Sequence, residues 1–250
     1  MAEVVVFGGT SEGRAIANAL REKDIPALVC VATQYGQSLA GAGGSVAVHT
    51  GRLDARAMAE MMRTRGARLV IDATHPHARE VSGNIRAACA DMGLRHVRVE
   101  RERASDCGDH AFSSMDALIE WLNAADGMIF STLGANQAHQ LTAVAGFDRR
   151  VWLRILPFAE GLNACLHAGF PAARIICMQG PFSEELNAAM FRAAGADILV
   201  TKESGAAGGY DEKLRAARAC GMTVAVLTRP DEGAGHSLQE VLQMIEGGAI

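Results

Sequence analysis

Proline is scarce, with 6 residues in 250, and aromatic side chains make up only 5% of the chain. A proline-rich linker array is thereby excluded, and 49% hydrophobic residues exclude a disordered tail protein. Long apolar runs are missing too: the longest are strand-sized, so no bilayer span and no membrane partner is expected. Basic charge is in deficit, 24 Lys and Arg against 28 Asp and Glu, for a net charge of −4. The diffuse positive field of a general nucleic-acid binder is absent, and any anionic ligand must meet local cations. None of the 6 cysteines (Cys30, Cys89, Cys107, Cys165, Cys177, Cys220) forms a C-x-x-C pair. Reduced, mostly buried thiols are expected, with no zinc site and no disulfide. Met1 leads directly into the apolar run Val4–Phe7 without a basic region or a cleavage site, so a cytoplasmic protein is expected.

Glycine, by contrast, is plentiful at 27 residues, as many tight strand-to-helix turns require. The first part of the chain repeats a short apolar run, a polar or glycine-rich turn, and a stretch of helical spacing. Strands are predicted at Val4–Phe7, Ala27–Ala32, Val46–His49, Leu69–Asp72 and His96–Val99, and helices at Ser11–Glu22, Asp54–Arg65 and His77–Met92. Runs such as Val70-Ile71 are apolar on successive positions, as a strand covered on both faces must be. The pattern breaks into charged and small polar residues over Arg98–His110, a hinge candidate. A second series follows, with strands predicted at Met128–Ser131, Val151–Leu156, Arg174–Met178, Ile198–Thr201 and Thr223–Leu227. Its helices are predicted at Met115–Ala124, Asn136–Val144, Ser183–Ala194, Tyr210–Cys220 and Ser237–Glu246. The expected fold is α/β, two Rossmann-like lobes with parallel sheets facing a shared cleft, the lobes being residues 1–103 and 104–250.

Phe7-Gly8-Gly9-Thr10-Ser11-Glu12-Gly13-Arg14 lies between the first strand and the first helix. A dinucleotide pyrophosphate needs a turn free of side chains, so that backbone N–H groups and the positive end of a helix reach it. Gly8, Gly9 and Gly13 supply that freedom, although Thr10 stands where the usual fingerprint has its second glycine. Thr10 or Ser11 is expected to cap the helix while donating a hydroxyl to phosphate. The alternative is a turn that only packs the helix on the sheet. After the second strand, Val31-Ala32-Thr33-Gln34-Tyr35-Gly36 carries no acid. An acid there would bind the ribose of NADH and repel a 2′-phosphate; its absence and the hydroxyls of Thr33 and Tyr35 favour NADPH, against a merely solvated turn. Arg52 is a further cation at that edge.

Asp72-Ala73-Thr74-His75-Pro76-His77 ends the fourth strand. His75 and His77 lack neighbouring ligands at metal spacing, so a hydrogen bond to cofactor or substrate is expected, with an inert capping role as the alternative. In the second series, Gln179-Gly180-Pro181-Phe182-Ser183, Thr201-Lys202-Glu203-Ser204-Gly205 and Gly208-Gly209-Tyr210-Asp211-Glu212-Lys213 are the unusual polar sets. Ser183 reads as a helix cap. Lys202, directly after an apolar strand, reads as a cation for an anionic group or as a solvated lysine. Arg14, Arg52, Arg79, Lys202 and Lys213 together would make the cleft positive. Tyr210 and Lys213 stand three apart, not the four that activate a short-chain dehydrogenase tyrosine, and neither a P-loop nor a Gly-x-Ser-x-Gly elbow occurs.

In order and spacing, Gly8–Arg14, Asp72–Pro76, Gln179–Ser183 and Thr201–Gly205 leading to Gly209 and Lys213 resemble the precorrin-6A reductase family of cobalamin biosynthesis, over nearly the whole chain. The resemblance implies an NADPH-dependent reduction of one carbon–carbon double bond of a polycarboxylate tetrapyrrole, precorrin-6A, to precorrin-6B. Together with the reading of Thr33, Tyr35 and Arg52 above, it gives an expected cofactor site at Gly8, Gly9, Thr10, Ser11, Glu12, Gly13, Arg14, Thr33, Tyr35, Arg52, Thr74 and His75. Substrate contacts are implied at His77, Gln179, Gly180, Pro181, Phe182, Ser183, Lys202, Ser204, Gly205, Gly209 and Lys213. His75 and Lys202 are the candidate catalytic groups, no protein-held metal is implied, and transient contacts with neighbouring enzymes of the route are expected. The cobalt-bearing form of the substrate, another NAD(P)H-dependent reductase and an NADPH-sensing module remain alternatives.

Overall fold

Val4, Val5, Val6 and Phe7 are all buried, so the first strand is covered on both faces as its unbroken apolar run requires. In the computed structural model the described residues are 3–32, 36–37, 43–100, 106–204, 208–229, 235–248 and 250. Chain contacts divide the protein into two units, Met1–Glu102 with Asp231–Ile250, and Arg103–Pro230.

The first unit contains β1 (Glu3–Phe7), α1 (Ser11–Glu22), β2 (Ala27–Val31), β3 (Val46–Thr50), α2 (Ala55–Arg65), β4 (Ala67–Asp72), α3 (Arg79–Met92) and β5 (Arg95–Glu100). Its sheet runs β12-β5-β4-β1-β2-β3, where β12 is His236–Ser237, and every pairing between these strands is parallel. Val4 and Val6 join Ile16, Ala17 and Leu20 of α1 on one face. Val5 and Phe7 join Met58, Met62 and Ile85 of α2 and α3 on the other. Each such fully buried aliphatic side chain contributes roughly 1.5–3 kcal/mol.

The second unit contains β6 (His110–Phe112), α4 (Met115–Ala124), β7 (Ile129–Ser131), α5 (Ala138–Leu141), α6 (Phe147–Arg150), β8 (Val151–Ile155), α7 (Ala159–His167), β9 (Ile175–Cys177), α8 (Glu184–Ala194), β10 (Ile198–Lys202), α9 (Tyr210–Ala219) and β11 (Thr223–Leu227). Its sheet, also all parallel, runs β6-β11-β10-β7-β8-β9. One face carries Leu118, Leu122 and Cys165 against Ile129, Leu153 and Val200. The other carries Phe191, Tyr210 and Leu214 against Phe130, Leu199 and Val224.

The expected division at residue 103 needs correction at the carboxyl end. Ser237 caps α10 (Leu238–Glu246), whose Val241 and Ile245 bury against Val4 and Ile16, and β12 adds to the β5 edge. Residues 231–250 therefore belong with the first unit, not with the second. An amphipathic pattern says that a helix face is buried, but not on which sheet. Gly235 shows how the chain enters: a Cβ there would collide with the Glu100 side chain and the Arg98 carbonyl. The strands β6 and β12 and the helices α6 and α7 are absent from the expected elements, and the predicted Asn136–Val144 helix is a 3₁₀ turn, Ala135–Gln137, followed by one turn of α-helix.

Candidate active site

In each sheet the strand order reverses direction once, between β1 and β4 and between β7 and β10, and it is outside the carboxyl ends at such a point that open α/β sheets bind ligands. At the first of these points the β1–α1 turn meets the loop after β4. Thr10 caps α1 by accepting from the Gly13 N–H at 3.1 Å, and its hydroxyl donates to the Ala73 carbonyl at 2.7 Å. The capping expectation is met, but the proton is committed inward, so Thr10 Oγ1 has none to donate to a phosphate. Ser11 donates to the Glu12 carboxylate at 3.0 Å. Gly13 sits where a Cβ would be 2.9 Å from the Gly8 Cα, so glycine is required for the turn to close on itself. Gly9 adopts φ 100°, and a Cβ there would meet no atom within 4 Å. A shallow recess is lined by Glu12 of α1 together with Ala73, Thr74, Pro76 and Val99.

Asp72, fully buried, organises the facing loop. Its Oδ1 accepts from the Thr74 N–H at 3.0 Å, the Thr74 hydroxyl at 2.7 Å and Arg98 Nη1 at 2.8 Å. Arg98 Nη1 also donates to the Thr74 carbonyl at 3.2 Å and to Thr74 Oγ1 at 3.0 Å, and the Ser82 hydroxyl lies 3.0 Å from the same oxygen. The Thr74 hydroxyl is thus held within the protein. Beside the pair, His96 Nε2 lies 4.0 Å from Asp72 Oδ2; burial lowers the His96 pKa against the opposing pull of that carboxylate. His75 Nδ1 accepts from the His77 N–H at 3.2 Å, which places the exchangeable ring proton on Nε2. The two rings are 5.7 Å apart. Arg14 is half-buried, whereas Arg52 and Arg79 are exposed. Thr33 and Tyr35 lie outside the described residues, as does Gly205.

At the second reversal point, Lys202 ends β10 and donates from Nζ to the carbonyl of Leu133, in the loop after β7, at 3.1 Å. It is largely enclosed rather than solvated, and burial lowers its pKa. Ser183 caps α8 as expected, accepting from Leu186 N–H at 3.3 Å. The Gln179–Ser183 loop packs against the start of α9: Gly209, at φ 61°, lies where a Cβ would be 3.5 Å from the Pro181 Cβ. Gln179 is exposed and donates to the Gly180 carbonyl at 3.2 Å. Ser204 is buried. Lys213, 7% exposed, is pushed down to about 7 by burial first, then by the positive charges of Arg154 and Lys202, with Glu212 opposing.

Arg154 and Arg98 were missed in the sequence. A lone charge inside an apolar strand was the available signal, in Val151-Trp152-Leu153-Arg154-Ile155 and again in Val97-Arg98-Val99. Arg154 is 7% exposed and donates to Asn187 Oδ1 at 2.7 Å, its guanidinium 4.3 Å from the centre of the Phe182 ring.

The turn suits a dinucleotide. The backbone N–H groups of Gly9, Thr10 and Ser11 meet no acceptor among the described residues, and they stand at the positive end of α1 beside the open Gly9 position. The Glu12 carboxylate, an acceptor, suits a hydroxyl rather than a phosphate. Among the described residues no group of three His, Cys, Asp or Glu is placed to hold a metal ion, and no helix is long and apolar enough to cross a membrane.

The cobalt-precorrin-6A reductase of Methanothermobacter thermautotrophicus is 33% identical over 91% of this chain and 76% of its own length. The cobalt-precorrin-6A reductase of Salmonella typhimurium is 33% identical over 91% and 88%, and the precorrin-6A reductase of Rhodobacter capsulatus is 28% identical over 92% and 89%. A solved structure of CobK precorrin-6A reductase superposes with a TM-score of 0.79 and 26% identity, covering 99% of this chain and 97% of that one. With residues 3–246 matching the model of precorrin-6x reductase CbiJ/CobK, and with the paired parallel sheets and glycine turn described above, the chain belongs to that reductase family.

Proposed function

We propose that this protein reduces one carbon–carbon double bond of a precorrin-6A macrocycle, cobalt-free or cobalt-bearing, to the 6B level, with NADPH as the reductant. The observation that carries the reading is the uncovered row of N–H groups at Gly9, Thr10 and Ser11, in a chain of a reductase family. Bound there, the nicotinamide cofactor supplies the hydride. The protein's own work is to hold and orient. Gly8, Gly9 and Gly13 let the backbone approach the pyrophosphate, Arg14 adds a cation to that edge, and the Glu12 carboxylate accepts from a ribose hydroxyl. His75, with its proton on Nε2, donates from the loop that Asp72 and Arg98 brace. The second unit binds substrate carboxylates through Lys202 and Lys213, with the Gln179–Ser183 loop and Gly209 framing the site.

NADPH is preferred over NADH on sequence grounds, since no acid follows Ala32 and hydroxyls stand at Thr33 and Tyr35. A cytoplasmic setting agrees with the six free cysteines. The test is an anaerobic assay with precorrin-6A and with its cobalt complex, each with NADPH and NADH, followed by nicotinamide absorbance. Macrocycle-dependent oxidation of NADPH is expected, and no turnover with either macrocycle would overturn the reading. Equal kcat/KM with the two nucleotides would overturn the cofactor preference alone.

A further inference from the structure

Two of the most deeply buried cations of the second unit have no carboxylate partner among the described residues. Lys213 and Arg154 are each 7% exposed. Lys213 Nζ has no hydrogen-bond acceptor among the described residues, and Arg154 donates only to the neutral Asn187 amide at 2.7 Å and to Met190 Sδ at 3.9 Å. Buried charges are ordinarily paired, because an uncompensated charge in a low-dielectric interior is strongly unfavourable. Lys213 is repelled by both Arg154 and Lys202. Among the described residues the one acid acting on Lys213 is Glu212 of its own helix, and that carboxylate is engaged with Arg215 at 3.4 Å. Evolving apolar residues at both positions would relieve the strain on the fold, so the charges point to an anion from outside the chain.

The place is also built. Phe182 underlies the Arg154 guanidinium, Asn187 holds it from α8, and Asn187 is itself fixed by donating to the Phe182 and Ser183 carbonyls at 3.2 and 2.9 Å. The loop thereby braced is the one that packs on Gly209, one helical turn before Lys213. We infer that Arg154, Lys213 and Lys202 form a single buried anion site that takes one carboxylate of the macrocycle, with Arg154 as a substrate-positioning residue. The identity of the anion rests on the reductase reading; the existence of the site does not.

The pH behaviour follows from the surroundings. Among the described residues Arg154, Lys202 and Glu212 are the charged groups acting on Lys213, and in the free protein burial, then Arg154 and Lys202, lower its pKa to about 7 against the opposing pull of Glu212. A bound carboxylate stabilises the ammonium, so binding takes up a proton and weakens as pH rises above that value.

The experiment is calorimetric titration of the full chain, without turnover, using uroporphyrin (a tetrapyrrole rimmed with carboxylates) and, separately, inorganic phosphate. Wild type, Lys213→Met and Arg154→Met are compared at about pH 6 and about pH 9. Uroporphyrin binding is expected to weaken about tenfold or more in each variant. In wild type it should fall from the lower to the higher pH, and in Lys213→Met this dependence should flatten. Lys213→Met should melt at or above the wild-type temperature, since a buried unpaired charge has been removed. Unchanged uroporphyrin affinity in Lys213→Met, or a lowered Tm with pH dependence intact, would overturn the proposal. Phosphate binding that is lost in the variants while uroporphyrin binding is kept would overturn the carboxylate assignment. Because none of these outcomes involves hydride transfer, their failure leaves the reductase reading standing, and absence of turnover leaves this site standing.

Discussion

The Nζ of Lys202 and the carbonyl oxygen of Leu133 are 3.1 Å apart, which ties the cation at the end of β10 to the loop leaving β7 across the point where strand order reverses. One N–H is engaged by the backbone and two remain to meet a ligand. A lysine anchored in this way loses little further freedom on binding, and its partial burial protects the charge from salt screening.

Lys202→Met is therefore expected to raise the macrocycle KM about tenfold or more, the equivalent of roughly 1.5–3 kcal/mol for a charge-assisted contact. The NADPH dissociation constant should stay within error of wild type. Steady-state kinetics with each substrate varied in turn checks this, and a wild-type macrocycle KM would remove Lys202 from the site.

Gly9→Val places a branched side chain at φ 100°, into the space beside the free N–H groups. Nucleotide affinity should drop at least tenfold by steric exclusion, with a destabilisation of about 1–3 kcal/mol from backbone strain. Fluorescence titration with NADPH and urea denaturation separate the two effects. An unchanged dissociation constant in the folded variant would mean that the turn only packs α1.

Arg98→Leu leaves the carboxylate of Asp72 buried without its cation, and a loss of about 3–5 kcal/mol is expected from urea denaturation. Adding Asp72→Asn should restore part of that loss. The single variant should also raise the NADPH KM, because Arg98 holds the Thr74 carbonyl at 3.2 Å and with it the loop bearing His75. Stability that is unchanged in Arg98→Leu would show the pair to be energetically neutral.

Lys213 has a folded-state pKa depressed to about 7 from 10.5. Below that folded value the ammonium is charged in both states and its burial penalty is felt in full. Between about 7 and 10.5 the unfolded chain binds more protons than the native one, so this group makes stability rise with pH. The urea midpoint of Lys213→Met should exceed that of wild type most at about pH 6 and least at about pH 9. A gap that widens with pH would contradict the assignment.

Much of the second-unit and first-unit core is visible in apolar runs. Val4–Phe7, Val70-Ile71 and Leu199-Val200 are hydrophobic on successive positions, and only a strand covered on both faces needs that pattern. The two edge strands are not visible, because His110–Phe112 and His236–Ser237 are short, partly exposed and carry no alternation. Nor are the partners of Arg98 and Arg154: Asp72 is 26 residues from the one and Asn187 is 33 from the other.

By itself the sequence determined the parallel α/β class, the turn at Gly8–Gly13, a cap at Thr10 or Ser11, the cap at Ser183 and the strand-end position of Lys202, since each depends on residues within a few positions of one another. Only the tertiary structure decided that residues 231–250 complete the first unit, that the hydroxyls of Thr10 and Thr74 are committed inward, and that Arg154 and Lys213 are buried cations with no ion-pair partner among the described residues. The physical reason is that burial and hydrogen-bond partnership are long-range properties: a local pattern fixes which groups a strand or helix presents, and the packing of distant segments fixes what those groups meet.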